Sequence, residues 1–156
     1  MDPPSGWMGA SVTVRALGIN HIALEVHDLD EALAWWERWF EFTLRGRRAQ
    51  MAWIDLGDQF VALSEGGPEA PDRGRHVGLV VEDREALRQA LLAAGESVSP
   101  EGSLRLRDPF GNLLEIVDYR EIQFSKTPAV LRALGVDGLE KTPDAQREMR
   151  NKDLLD

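Results

Sequence analysis

The chain has 156 residues, of which 43% are hydrophobic and 29% charged, values that fit one ordinary globular domain or two small half-domains sharing a core. Its 27 acidic and 18 basic residues give a net charge of −9, so we expect neither a nucleic acid nor a membrane surface as a partner. The absence of cysteine excludes disulfides, thiolate metal sites and cysteine nucleophiles, which leaves nitrogen and oxygen as metal ligands.

Residues 1–16 have the composition of a flexible N-terminal tail. The segment opens with acidic, proline and glycine residues, and it lacks the basic start and apolar stretch of a signal peptide. No apolar run in the chain approaches the roughly 20 residues that a membrane-spanning helix needs. We therefore expect a soluble, cytoplasmic protein.

An internal repeat organises the chain after this tail. Residues 20–28 read Asn-His-Ile-Ala-Leu-Glu-Val-His-Asp, and residues 75–83 echo them as Arg-His-Val-Gly-Leu-Val-Val-Glu-Asp. Each copy continues with Glu-Ala-Leu and then with the same order of signals: a strand, a helix and several short strands. The sequence predicts two βαβββ modules, at about 17–65 and about 74–120, joined by a linker rich in glycine, proline and acids.

In the first module, a helix is predicted at about 30–40 and strands at about 42–50, 51–56 and 59–64. The apolar face of the helix consists of Leu29, Leu33, Trp36 and Phe40. Trp35 and Trp39 lie beside this face. We interpret them as the margin of the core, with a docking surface for another protein as the alternative.

In the second module, a helix carries Leu87, Leu91 and Ala94 on one face and ends at Gly95, a typical left-handed cap. Strands are predicted at about 96–99, 103–107 and 113–118. A C-terminal extension, residues 121–156, shows two further helices near 129–134 and 144–151. The predicted fold class is α+β, with two βαβββ modules forming a cupped mixed sheet, helices outside it, and this helical extension.

Strand alternation places three potential metal ligands on one side of the sheet. In the first strand of each module, the apolar residues face the helix while His21 and His76 face the other way. In the last strand, Glu115 lies on the histidine side, and a carboxylate among apolar neighbours is costly to bury without a cation. Each residue alone would more often be structural. Together they form a two-histidine, one-carboxylate set, which leaves coordination positions open for substrate.

At these residues the chain resembles the vicinal oxygen chelate superfamily, which includes glyoxalase I, extradiol dioxygenases, fosfomycin-resistance transferases and bleomycin-binding proteins. The resemblance covers about residues 17–119. The motifs that carry it are Asn20-His21-Ile22-Ala23-Leu24, Trp35-Trp36, His76-Val77-Gly78-Leu79 and Asp108-Pro109-Phe110-Gly111-Asn112-Leu113-Leu114-Glu115.

The resemblance implies one divalent metal ion, iron, manganese, nickel or zinc, held by His21, His76 and Glu115. Glyoxalase I has a fourth ligand, a glutamate, and the matching residue here is Ala62. The three-ligand pattern is more similar to the dioxygenases and the fosfomycin-resistance enzymes. Family members commonly form homodimers, and some share sites between chains, so we expect a homodimer.

Further site residues follow from strand parity and from the family pattern. Ser103 and Arg105 are candidates for substrate binding, because the arginine fork pairs well with carboxylate, phosphonate or enolate oxygens. The alternative for Arg105 is a surface arginine paired with Asp118 or Glu101. Glu25 and Tyr119 are the candidate catalytic base and hydroxyl donor.

The expected function is that of a metal-dependent enzyme that acts on a small, oxygen-rich molecule through Lewis-acid catalysis. Two alternatives stay open. One is a metal-free protein that sequesters a drug or metabolite in an aromatic-lined cleft. The other is a structural or regulatory subunit that docks through the C-terminal helices and Trp35 with Trp39.

Overall fold

The computed structural model describes residues 14–155, so most of the predicted N-terminal tail lies outside the described residues. The elements in chain order are β1 (His21–Val26), α1 (Leu29–Trp39), β2 (Thr43–Arg48), β3 (Met51–Asp55), β4 (Phe60–Glu65), β5 (Val77–Val81), α2 (Arg84–Ala93), β6 (Leu104–Arg107), β7 (Leu113–Asp118), α3 (Pro128–Ala133) and α4 (Pro143–Arg150). No helix among these residues is both long and apolar enough to span a membrane.

The first module forms a four-stranded sheet in the order β1-β4-β3-β2. β1 runs parallel to β4, whereas β3 is antiparallel to both β4 and β2. α1 begins after Asp28, whose carboxylate accepts a hydrogen bond from the Glu31 backbone N–H at 2.8 Å. Leu29, Leu33 and Trp36 are buried on its inner face, as their spacing predicts.

The second module forms a three-stranded sheet in the order β5-β7-β6, again with one parallel and one antiparallel pairing. α2 repeats the capping of α1, because the Asp83 carboxylate accepts from the Ala86 N–H at 2.9 Å. The repeated aspartates of the sequence are therefore helix caps. Gly95 adopts a φ of 80° just after α2, which confirms the predicted left-handed cap.

One predicted strand, at 96–99, is not formed. Arg88, 2% exposed, donates to the Ser99 carbonyl at 2.6 Å and to the Gly102 carbonyl at 2.7 Å. The predicted strand segment thus wraps around a buried guanidinium, and Pro100 follows it directly. The second module is therefore βαββ and lacks the fourth strand that the sequence predicted. The two modules also form two separate sheets, whereas the sequence predicted a single cupped sheet.

Burial along the strands follows the predicted alternation. In β1, Leu24 and Val26 are buried, whereas His21, Ala23 and Glu25 are exposed. The buried residues of the two modules form one continuous core. Trp35 and Trp39 are partly buried against it, which supports their interpretation as its margin.

The modules are also joined by a polar contact. Asn112, in the loop before β7, is 4% exposed and donates to the Glu25 carbonyl of β1 at 2.9 Å. The same side-chain nitrogen donates to the buried carboxylate of Asp108 at 2.6 Å. This loop therefore holds the end of β1 against the start of β7.

The C-terminal extension leaves the second module and reaches back to the first. Val130 of α3 approaches Gly57, in the β3–β4 turn, so closely that a Cβ there would lie 3.0 Å from Val130 Cγ1. Lys126 pairs with Asp58 of the same turn. Further along, the Lys141 ammonium donates to the Tyr119 and Phe124 carbonyls at 2.5 and 2.6 Å. The observed architecture confirms the α+β class, the outer helices and the helical extension.

Candidate functional site

His76 and Glu115 form the centre of the candidate site. His76 directly precedes β5, and Glu115 pairs with Gly78 where β5 runs beside β7. Because His76 and Gly78 are two positions apart along an extended segment, and Gly78 is paired with Glu115, the His76 and Glu115 side chains lie on the same face. The His76 Nε2 and the Glu115 Oε2 are 3.1 Å apart, and both side chains remain partly exposed. The structure thus brings two of the three predicted ligands together.

The other ring nitrogen of His76 is held by the backbone. Nδ1 lies 3.0 Å from the Gly74 carbonyl oxygen. A carbonyl can only accept a hydrogen bond, so Nδ1 donates to Gly74 and Nε2 is the ring nitrogen that faces Glu115. This orientation by a second partner is typical of histidines that bind metals.

Arg105 lies on the far side of the same carboxylate. β6 pairs with β7 so that Arg105 is opposite Glu115, and the Arg105 Nη2 is 3.7 Å from the Glu115 Oε1. Neither Asp118 nor Glu101, the partners considered as alternatives, forms an ion pair with Arg105 in the described part of the chain. Arg105 is 56% exposed and can receive a second anion. Ser103 is exposed just before β6.

His21 lies apart from this pair. Its ring stacks on Phe60, with 4.6 Å between centroids and 5° between planes, and its Nδ1 is 2.8 Å from Asn20 Oδ1. The Arg45 guanidinium covers the Phe60 ring at 4.7 Å. Across residues 14–155, no three His, Asp or Glu side chains lie close enough together to hold a metal ion. Within one described chain, the His76–Glu115 pair and the exposed His21 imidazole are therefore separate.

Strand register also identifies the residue of the first module that corresponds to Glu115. Ala23 pairs with Ala62 across β1 and β4, and Gly78 pairs with Glu115 across β5 and β7. Ala23 and Gly78 each follow the histidine of their module by two residues. Ala62 is therefore the first module's equivalent of Glu115, and it is a buried methyl group.

The two predicted catalytic residues lie in different surroundings. Glu25 is exposed on the same face of β1 as His21. Tyr119 is 6% exposed, its hydroxyl accepts from the Lys126 N–H at 3.2 Å, and the Lys141 ammonium lies 3.5 Å from its ring centroid. The structure does not bring either of them into contact with the His76–Glu115 pair, and their roles stay predictions.

Sequence analysis gave no role to Phe60, to Asn112 or to Lys141. The internal repeat was the one sequence feature that pointed to Phe60. This residue begins β4, the strand that runs parallel to β1, and it is paired with His21. Asn112 belongs to the Asp108–Glu115 motif, but its bond to β1 joins residues far apart in the chain. No local pattern indicates the buried setting of Lys141, where burial lowers the pKa of the ammonium to about 8.

Comparisons with known proteins agree with this architecture. The glutathione transferase FosA of Serratia marcescens is 31% identical over 110 residues, which cover 63% of this chain and 78% of that protein. The structure of a possible glyoxalase from Bacillus cereus matches with a TM-score of 0.57 and 27% identity, over 65% of this chain and 99% of that one.

The fosfomycin resistance protein FosX of Listeria monocytogenes has the same fold, with a TM-score of 0.57 and 18% identity over 67% of this chain and 94% of that one. Residues 18–116 match the model of one protein family. That match spans both modules and the candidate ligands. The chain belongs to the Glyoxalase/Bleomycin resistance protein/Dioxygenase superfamily.

Proposed function

We propose that this protein is a metal-dependent enzyme that holds one divalent cation with His21, His76 and Glu115 and acts on a small, oxygen-rich anion. The observation that carries the proposal is the convergence of the His76 Nε2 and the Glu115 Oε2 at 3.1 Å. The contact of Nδ1 with the Gly74 carbonyl orients Nε2.

The donor pair fits a metal ion. Two ligands at about 2.1 Å from one ion and at right angles to each other lie about 3 Å apart, which matches the His76–Glu115 separation. Imidazole nitrogen and carboxylate oxygen suit manganese, iron, nickel and zinc, and the donor set does not choose among them. Manganese has support from a related fold, since a mutant of FosX was crystallised with Mn(II) and 1S,2S-dihydroxypropylphosphonic acid.

The third ligand comes, in this proposal, from a second copy of the chain. β1 and β5 are edge strands of their sheets, so each has one side without a strand partner among the described residues. His21 is exposed on β1, and its Nδ1 contact with Asn20 leaves Nε2 available. A symmetric dimer that joins the two edges would form two equivalent sites, each with His21 from one copy and His76 with Glu115 from the other.

A bound divalent ion supplies Lewis acidity, which stabilises negative charge on substrate oxygens. The chain's own residues bind and orient the substrate. Arg105 is exposed beside Glu115 and pairs with a phosphonate or carboxylate group, with Ser103 as a hydrogen-bond donor nearby on the same strand. Glu25 is the proposed base, and the Tyr119 hydroxyl keeps its own hydrogen to donate while it accepts from Lys126.

The reaction class proposed is addition to a small anion of the kind that fosfomycin-resistance enzymes modify. The support is the 31% identity with FosA and the alanine at position 62, where a fourth carboxylate ligand of the glyoxalase I type would lie. Ring-opening oxygenation is the next candidate reaction, since non-haem iron oxygenases also hold their metal with two histidines and one carboxylate.

A metal-free binding protein is the second candidate function. The observation that favours it is the separation of His21 from the His76–Glu115 pair within the described chain. In that case Glu115 would be balanced by His76 and Arg105 alone, and a ligand would bind without any ion.

Metal titration separates the two candidates. Metal-free protein is titrated with Mn²⁺ in a calorimeter, together with His76→Ala, Glu115→Gln and the control His27→Ala, an exposed histidine that contacts Phe110 instead of the site. We expect about one ion per chain in the wild type and the control, and at least a hundredfold weaker binding in the two site variants. No metal uptake by the wild type would refute the enzyme proposal.

Manganese-loaded protein is then assayed with fosfomycin and glutathione, with catechol by oxygen uptake, and with a 2-oxoaldehyde and a thiol. Turnover in the first assay supports the proposed reaction class. Turnover only in the second or third assay moves the protein to the oxygenase or glyoxalase class, while the metal site stands.

A further inference from the structure

Arg45 lies on the same face of the first sheet as His21, which we call the histidine face. Strand register puts His21, Phe60 and Asp55 side by side across β1, β4 and β3. The Arg45 guanidinium reaches this row from β2, because its Cζ lies 4.7 Å from the centre of the Phe60 ring and its Nε 4.0 Å from the Asp55 Oδ2. Imidazole, phenyl ring and guanidinium therefore form one row across the sheet.

A β-bulge separates the arginines of β2. Its pairing with β3 shifts register between Leu44 and Gly46, so that Arg45 is the extra residue and the residues after it change face. Arg47 consequently points to the helix side, where it pairs with Asp30 of α1 at 2.5 Å. Arg45 stays on the histidine face, as its contact with the Phe60 ring shows.

The Arg45 guanidinium has hydrogen-bond donors available for a ligand. At 4.0 Å its ion pair with Asp55 is too long for a hydrogen bond, and Asp55 already accepts from the Gly57 N–H at 3.1 Å. The Arg45 side chain is 47% exposed, so an anion can approach it from solvent. Arginine stacks on aromatic rings through its flat face and pairs with carboxylates through its edge. Arg45 is therefore a preformed binding group for a carboxylate.

We propose that Arg45 binds a remote carboxylate of a substrate whose other anionic group lies at the metal ion and Arg105. This inference rests on the proposed function, in which His21 of one copy meets the two other ligands, with Arg105 beside them, on the second copy. His21 reaches Phe60 from β1 and Arg45 reaches it from β2, on opposite sides of β4, so the ring separates imidazole from guanidinium. The substrate class is therefore a phosphonate or carboxylate that carries a second carboxylate at the other end of a short chain.

Two matched pairs of probes test this proposal. They are 4-phosphonobutyrate with butylphosphonate, and 6-phosphonohexanoate with hexylphosphonate; within each pair a carboxylate replaces a methyl group. Each compound is titrated calorimetrically into Mn²⁺-loaded protein. Since a hydrogen bond between charged groups at a partly exposed site corresponds to about a tenfold gain in affinity, we expect the carboxylate to raise affinity at least about tenfold for one of the two lengths.

The other two arginines of β2 provide matched controls for Arg45→Gln. Arg48 lies on the histidine face as well, but in the row of Met51 and Glu25 at the other end of the strand, so Arg48→Gln removes the same charge elsewhere on that face. Arg47→Gln removes it from the helix side. Arg45→Gln should lose the gain from the carboxylate, and both controls should keep it. Circular dichroism first establishes that all three variants retain the fold.

A wild type that binds Mn²⁺ but shows no carboxylate gain at either length would overturn the inference and leave the metal site standing. Equal losses in Arg45→Gln and Arg48→Gln would reduce the gain to general charge and would also overturn it. So would weaker Mn²⁺ binding in Arg45→Gln with an unchanged gain, because Arg45 would then act on His21 through Phe60.

The proposed function fails separately, if the wild type takes up no Mn²⁺. The same titrations in metal-free protein then decide on the arginine alone. A carboxylate gain that Arg45→Gln removes would keep the carboxylate site without the enzyme, and the absence of any gain would remove both.

Discussion

Replacing Asn112 with alanine removes a polar contact that joins the two modules. The Asn112 side chain donates to the Glu25 carbonyl at 2.9 Å and to the Asp108 carboxylate at 2.6 Å, and both Asn112 and Asp108 are buried. A hydrogen bond between neutral groups contributes about 1 kcal/mol, and one to a charged group about 1.5–3 kcal/mol. We expect the variant to lose about 2–4 kcal/mol of unfolding free energy.

The loss should depend on pH. Burial raises the pKa of Asp108, and hydrogen bonds from Asn112, Phe110 and Gly111 oppose that rise. A carboxyl group whose folded pKa is raised stabilises the fold at low pH, and this contribution is lost as pH rises through the folded pKa. Without the Asn112 side chain that pKa rises further. The variant should therefore be more strongly destabilised at about pH 7 than at about pH 4.

Urea unfolding at both pH values, followed by circular dichroism, measures the effect. Asn151→Ala, at an exposed asparagine beyond the end of α4, is the control and should lose less than about 0.5 kcal/mol. A loss below about 1 kcal/mol in Asn112→Ala, or the same loss at both pH values, would refute this account of the loop.

Two further predictions concern groups near the start of the C-terminal extension. Although burial acts in the opposite direction, hydrogen bonds from the Arg120 side chain and backbone and from the Arg84 N–H lower the pKa of Asp118 to about 2. The ionised carboxylate should stabilise the fold fully above about pH 4, and this stabilisation should be lost as pH falls through about 2. Asp118→Asn should therefore have a lower Tm than the wild type at neutral pH, and its Tm should depend less on pH in acid. Parallel plots of Tm against pH for the two proteins would contradict this. Burial lowers the pKa of Lys141 to about 8, against the charge of Asp118. In ¹³C-lysine-labelled protein one signal should titrate near pH 8 and be missing from Lys141→Arg, whereas titration of that signal above about pH 10 would refute the buried setting.

The features that sequence predicted well depend on local periodicity. Alternation in β1 is enough to place His21 opposite Leu24 and Val26, because the pleat of a strand fixes which side chains share a face. The repeated aspartates likewise fall at helix N-termini, where a short carboxylate satisfies a free N–H group.

The features that sequence missed depend on partners elsewhere in the chain. The segment 96–99 has strand-like composition, yet its last carbonyl binds Arg88, which lies in α2. Strand parity gave the face of His21 but not its distance from His76, because that distance depends on how the two modules pack. The contact of Asn112 with β1 is likewise a tertiary contact that no local pattern encodes.

Mixing two site variants tests the shared metal site most directly. His21→Ala and His76→Ala are each expected to bind no Mn²⁺ tightly. In a mixed dimer, the His76→Ala chain supplies an intact His21 and the His21→Ala chain supplies an intact His76 and Glu115. These residues restore one of the two metal sites. After the two are unfolded together and refolded, random pairing should therefore restore about a quarter of the wild-type metal content. No recovery, while a refolded wild type regains about one ion per chain, would contradict a site built from two copies.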